Sequence, residues 1–85
     1  MRSTESDGVE VSLTARLLNA FDGLARLLGD VERFGFGLLH VDLVAREGHD
    51  ADLRLTLRLP PGADAAQVCR RFARHASVLS VEFAR

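Results

Sequence analysis

Hydrophobic and polar residues alternate in four stretches of the chain, which is the pattern of a β-strand with one buried face. The third stretch is the clearest, because its leucines alternate with charged or hydroxyl-bearing residues until Pro60 ends the run. In chain order, the apolar positions of the four stretches are Val11, Leu13, Ala15 and Leu17; Leu39, Val41, Leu43 and Ala45; Leu53, Leu55, Leu57 and Leu59; and Leu79, Val81 and Phe83. The pattern therefore predicts four half-buried strands.

Between the first and second strands the apolar spacing changes to three and four residues, which predicts an amphipathic helix. Asn19 is a favourable N-cap, and Asp22 would lie in the first turn, near the positive end of the helix dipole. Gly35 is expected to end the helix in the left-handed conformation. The stripe comprises Phe21, Leu24, Leu27, Leu28, Val31 and Phe34.

A second helix is predicted between the third and fourth strands, with Asp64 as its N-cap. Its C-terminal half is expected to carry a basic cluster and His75. Its apolar stripe comprises Ala65, Val68, Cys69, Phe72 and Ala76.

The order of these elements is βαββαβ, which predicts an α+β ferredoxin-like sandwich. In that fold two helices cover one face of a four-stranded antiparallel sheet with the strand order 4-1-3-2. The one-sided patterning of every strand agrees with a sheet covered on one face only. We expect residues 1–8 to form a disordered tail and residues 9–85 to form a single domain of this kind.

Composition and charge exclude several functions. The chain has 85 residues and a formal net charge of -1, which argues against a nucleic-acid partner. No apolar run approaches the roughly 20 residues of a membrane span, and the polar N-terminus has no signal-peptide core, so we expect a cytoplasmic protein. A single cysteine excludes an internal disulfide and a multi-cysteine metal site.

Catalytic chemistry is not indicated either. The three histidines, at positions 40, 49 and 75, fall on different elements without metal-ligand spacing, and we expect them on the surface. No nucleophile and base are paired, so we expect no metal, no cofactor and no enzymatic activity. Among ferredoxin-like proteins, an RNA-binding module is disfavoured because the exposed positions of the central strands hold Ser12, Thr14, Arg54 and Thr56 rather than aromatic residues.

The stretch "GLARLLGDVERFGFGLLHVDLV" resembles the ACT domain, the amino-acid-sensing module of biosynthetic enzymes. Leu24-Ala25-Arg26 matches the start of that family's first helix, and Gly35-Phe36 matches its end. The resemblance extends over Val9 to Phe83, and within the family the chain is similar to the small regulatory subunits of acetolactate synthase. "VSLTARLLNAFDGLARLLGDVERFGF" and "RRFARHASVLSVEF" carry that likeness.

The resemblance implies an effector site. On this alignment Asn19 takes the family's Asp/Asn position, Phe21 its proline position and Asp22 its glycine position, with Gly23 one residue later. Gly37 stands where asparagine is common, next to Leu38. These six residues are the implied effector-binding set, although capping of the helix also explains Asn19 and Asp22.

The resemblance also implies partners. The second strand is an edge strand, and in ACT domains it pairs with its copy in a homodimer whose two first helices also lie side by side. The implied dimer edge comprises Leu38, Leu39, His40, Val41 and Asp42. We expect a non-catalytic subunit that docks on the thiamine-diphosphate-dependent catalytic subunit of acetolactate synthase, with a branched-chain amino acid as a possible effector. The alternative is a stand-alone amino-acid sensor that serves another metabolic enzyme.

Overall fold

The computed structural model describes residues 8–84. In chain order the elements are β1 (Val9–Leu17), α1 (Ala20–Phe34), β2 (Gly37–Ala45), β3 (Ala51–Leu59), α2 (Ala65–Phe72) and β4 (Val78–Phe83). The strands form one antiparallel sheet in the order β2-β3-β1-β4, so the predicted ferredoxin-like topology is confirmed. Of the predicted tail, residues 1–7 lie outside the described residues.

The core lies between the helices and one face of the sheet. The alternating leucines of β3 are fully buried, as predicted, and face Leu27 of α1 and Phe72 of α2 across the core. On β1, Leu13 and Ala15 pair with two of these leucines and Leu17 pairs with Ala51, and all three are buried on the same face. These two central strands therefore supply most of the apolar surface that drives folding.

Both ends of α1 form as the sequence predicts. The Asn19 side chain accepts a hydrogen bond from the backbone N–H of Asp22 at 2.9 Å. At the other end Gly35 adopts φ 75° and ψ 24°, and the backbone N–H of Phe36 donates to the carbonyl of Val31. Only glycine reaches this left-handed conformation without steric cost, so the helix ends sharply and the chain enters β2 within two residues.

The two edge strands depart from the predicted simple alternation, because each contains a bulge. In β2 the register shifts between Leu38 and His40, so Leu38 rather than Leu39 joins Val41 and Leu43 on the helix-covered face. In β4 the register of its pairing with β1 also shifts, and Val78 rather than the exposed Leu79 is buried. A bulge adds one residue to a strand and reverses the faces beyond it, which alternation alone does not reveal.

The second helix is shorter than predicted. It ends at Phe72, so Arg74, His75 and Ala76 lie in the loop that leads to β4. Its start agrees with the prediction, since the Asp64 side chain accepts a hydrogen bond from the N–H of Ala66 at 3.0 Å.

Candidate functional site

Three loops meet at the end of the sheet where α1 begins. The backbone N–H of Leu18, in the β1–α1 loop, donates to the carbonyl of Ser77 at 2.8 Å, and Ser77 precedes β4. The N–H of Ala20 donates at 2.8 Å to the carbonyl of His49 in the β2–β3 turn. These bonds fix the first turn of α1 relative to both neighbouring loops.

The carboxylate of Asp22 is already engaged at this end of α1. It accepts a hydrogen bond from the Ser77 hydroxyl and lies 3.4 Å from Nε of Arg26. The Ser77 hydrogen bond, followed by the Arg26 guanidinium, lowers the pKa of Asp22 despite partial desolvation. Asp22 therefore ties α1 to the loop before β4, whether or not a ligand binds nearby.

The neighbouring residues of the predicted effector loop differ sharply in exposure. Phe21 is 88% exposed, and Leu18, in the loop before α1, is also exposed. Gly23 is buried, and a Cβ on it would lie 3.0 Å from a methyl group of Leu17. Gly23 thus permits close packing of α1 on β1, whereas Phe21 offers an apolar surface to solvent.

The structure does not bring the six predicted effector residues together within one chain. Asn19, Phe21, Asp22 and Gly23 lie at the N-terminal end of α1, whereas Gly37 and Leu38 follow its C-terminal end. The 15 residues of α1 span about 22 Å at 1.5 Å per residue. A single site that includes both groups would need a second chain.

Strand β2 is the exposed edge of the sheet. All nine of its residues are exposed, and the edge has no neighbouring strand among the described residues. Five of its large apolar side chains are at least one-third exposed: Leu38, Leu39, Val41, Leu43 and Val44. A long, apolar, unpaired edge of this kind favours addition of another strand.

The outer face of the sheet is polar, as predicted, and holds a shallow groove of about 440 Å³. At one side of it, Asp52 bridges two arginines: Nε of Arg16 donates to one carboxylate oxygen at 3.0 Å, and Arg46 donates to the other. Hydrogen bonds from Arg46 and then Arg16 lower the pKa of Asp52 against partial desolvation. The groove also contains Asp42, Arg54 and Glu82.

The pairing of Asp30 with His75 was not predicted from the sequence. Asp30 is only 6% exposed, although its spacing places it beside the apolar stripe of α1, and its carboxylate lies 2.7 Å from Nε2 of His75. The sequence predicts His75 on the surface, whereas its side chain is only 25% exposed and is held by Asp30. Because the two residues are 45 positions apart, no local spacing could have indicated the contact.

Other candidate chemistry is limited in the part of the chain that the structure describes. Residues 8–84 contain no cluster of three or more potential metal ligands. Cys69 is half-buried against the core, and burial raises the pKa of its thiol. No helix within these residues is long and apolar enough to cross a membrane.

The fold and the arrangement of its edges define a small α+β sandwich of the ACT-like ferredoxin type. The chain is similar to the crystal structure of the ACT domain from the GTP pyrophosphokinase of Chlorobium tepidum. That match has a TM-score of 0.75 and 12% sequence identity, and covers 91% of this chain and 99% of that one.

A second similar structure is the solution structure of the C-terminal domain of the MgtC protein from Mycobacterium tuberculosis. It has a TM-score of 0.73 and 9% identity, with 99% of this chain and 92% of that one covered. No protein-family model and no curated protein matches the chain. At these identities the likeness shows the fold.

Proposed function

We propose that this chain is a non-catalytic regulatory domain that pairs with a second copy through β2 and senses an amino acid. The observation that carries the proposal is the separation of the predicted effector residues to opposite ends of α1. An antiparallel β2–β2 pair would place Gly37 and Leu38 of one chain towards the end of the sheet where Phe21 of the other lies. The ACT-like fold supports the same arrangement.

The proposed site would use groups of different character from the two chains. The first turn of α1 supplies the positive end of the helix dipole, which favours a carboxylate, and Phe21 presents an apolar side chain. Leu38 of the second chain would add apolar surface, which suits an aliphatic side chain. A branched-chain amino acid is therefore the proposed effector.

The proposed partner of the dimer is the catalytic subunit of acetolactate synthase. The support is the resemblance of the first and last helix–strand segments to the small subunits of that enzyme. The dimer would bias the conformation of the catalytic subunit, with a coupling free energy of about 1–3 kcal/mol between effector and active site.

Mixing the purified chain with acetolactate synthase catalytic subunits tests this partner. We expect the two to co-purify and the rate of acetolactate formation to change by about fivefold or more, as typical coupling energies imply. Absence of both effects, in a preparation whose dimer is intact, would contradict the acetolactate synthase assignment while leaving the amino-acid sensor possible.

The exposed Phe21 favours a second candidate, a stand-alone sensor that serves another enzyme, because an apolar side chain at the loop is available without a docked partner. Calorimetry with valine, leucine, isoleucine and serine tests it. We expect an aliphatic amino acid to bind the isolated dimer and Phe21→Ser to weaken binding. The matched control is Val9→Ser, which removes an exposed apolar side chain from the far end of β1. Equal binding by both variants would exclude Phe21 from the site.

A further inference from the structure

The exposed side chains of β2 restrict how two copies of the strand can pair. We propose that β2 pairs antiparallel with its copy about a two-fold axis at Val41, so that His40 of each chain faces the partner's Asp42. The inference rests on the β2 pairing proposed above and adds its register, its contacts and the residues that select it.

The geometry of an antiparallel pair limits the possible registers. Residues opposite each other point to the same face of the sheet, so a strand that pairs with itself must be centred on a single residue. In the regular part of β2 the faces are known from the pairing with β3. Val41 and Leu43 share the helix-covered face with Leu55 and Leu53, whereas His40 and Asp42 share the outer face with Thr56 and Arg54.

Charge then separates the registers. Centring on Asp42 places two carboxylates opposite each other, and centring on His40 places two imidazoles opposite each other. Like charges directly opposite are unfavourable, which disfavours the Asp42-centred register, and the His40-centred register forms no imidazole–carboxylate pair. Centring on Val41 instead places an imidazole opposite a carboxylate twice, once on each side of the axis.

The bulge in β2 makes the apolar face fit the same register. Because the register shifts between Leu38 and His40, Leu38 lies on the helix-covered face together with Leu43. With Val41 opposite its copy, Leu38 of one chain meets the partner's Leu43. The exposed apolar side chains of that face are then covered by each other.

The outer face fits in the same way at the ends of the strand. Gly37 shares that face through its pairing with Arg58, and Val44 shares it through Asp52. In the Val41-centred register Val44 meets the partner's Gly37, which carries no side chain to oppose it. The register thus pairs the most exposed large apolar residue of β2 with a glycine.

Cross-linking tests the axis directly. In a Cys69→Ser background we expect Val41→Cys to form a covalent dimer on mild oxidation, because residues directly opposite have Cα atoms about 4.5–5.5 Å apart, within disulfide range. Val44→Cys is the matched control on the same strand and should remain uncross-linked. If the two-fold axis lay one residue away from position 41, the two substituted residues would be about two residues apart along the strand. That separation of roughly 7 Å would prevent a disulfide between them.

Charge exchange tests the His40–Asp42 contact. We expect Asp42→Lys to raise the dimer dissociation constant about tenfold, since it removes two favourable pairs, and His40→Glu to do the same by opposing two carboxylates. The double variant His40→Glu/Asp42→Lys should restore association. Glu82→Lys, an equal charge change on the outer face of β4, should leave it unchanged.

The outcomes separate this inference from the function on which it rests. A wild-type chain that sediments as a monomer would overturn the proposed pairing through β2. A wild-type dimer in which Val44→Cys cross-links better than Val41→Cys, or in which the double charge variant is weaker than both single variants, would overturn the register alone.

Discussion

Gly23 and Gly29 lie six residues apart on α1 in different surroundings. A Cβ at Gly23 would lie 3.0–3.2 Å from the buried Leu17 side chain, whereas nothing lies within 4 Å of a Cβ at Gly29. We expect Gly29→Ala to stabilise the domain by about 0.5–1 kcal/mol through helix propensity. Gly23→Ala should be less stable than Gly29→Ala by about 1–3 kcal/mol because of overpacking. Urea denaturation of both variants measures the difference, and equal midpoints would show that Leu17 moves aside freely.

The Asp30–His75 contact is a second residue-scale feature with a measurable energy. Its oxygen and nitrogen are 2.7 Å apart, and Asp30 is buried. Removing either partner leaves the other without this hydrogen bond, so we expect Asp30→Ala and His75→Ala each to destabilise the fold by about 1–3 kcal/mol. In a double-mutant cycle the two losses should not add, and additive losses would mean that the contact contributes nothing of its own.

Two carboxylates with lowered pKa values contribute to the pH dependence of folding stability in acid. The pKa values of Asp22 and Asp52 are lowered in the folded state, mainly by Ser77 and Arg46 respectively. Each carboxylate therefore stabilises the fold above the ordinary aspartate pKa, and this contribution is lost as the pH falls below about 4. We expect Asp22→Asn and Asp52→Asn to flatten the acid limb of a plot of unfolding midpoint against pH. An unchanged acid limb would contradict the assigned contacts.

At the scale of elements, the sequence predicted the central strands and the start of each helix but not the bulges or the shorter end of α2. The four leucines of β3 alternate with polar residues without interruption. β3 is hydrogen-bonded to a strand on each side, and neither pairing adds an extra residue to it. Leu39 and Leu79 lie in edge strands, where one free side tolerates an extra residue. Asp30 was unpredictable for a different reason, since its partner is distant in sequence.

The candidate site could be predicted only in part. Asn19 and Gly35 were predictable because a cap depends on a few neighbouring residues. The engagement of Asp22 by Ser77 was not predictable, because the contact joins the two halves of the chain. Likewise, the family resemblance predicted Gly23 as part of an effector loop. Its burial against Leu17 could not be predicted, because it follows from the packing of α1 on β1.

The edge strand β2 carries the element-scale prediction. Val41 is 36% exposed, so Val41→Lys can keep its ammonium in water in a single chain but places charge on the proposed contact between two chains. We expect this variant to be monomeric in sedimentation equilibrium. Leu79→Lys, the corresponding change on the opposite edge strand β4, should remain dimeric. A monomeric Leu79→Lys variant would assign the contact to β4 instead.

For the whole molecule, association and stability are linked. A domain of this size has a small core, and apolar side chains on β2 remain exposed in a single chain. Pairing would cover them, so we expect the thermal midpoint to rise with protein concentration, as for any protein stabilised by binding its own copy. Val41→Lys should abolish that dependence, and a concentration-independent midpoint in the wild-type chain would contradict the dimer.

The strand order has a consequence for synthesis on the ribosome. β1 and β2 emerge first, yet they are not neighbours in the sheet, because β3 lies between them and pairs with both. A nascent chain that ends before Ala51 therefore holds two strands and a helix with no sheet between them. Folding must wait for the third strand, and until it appears the apolar β2 segment is open to chaperones or to another nascent copy.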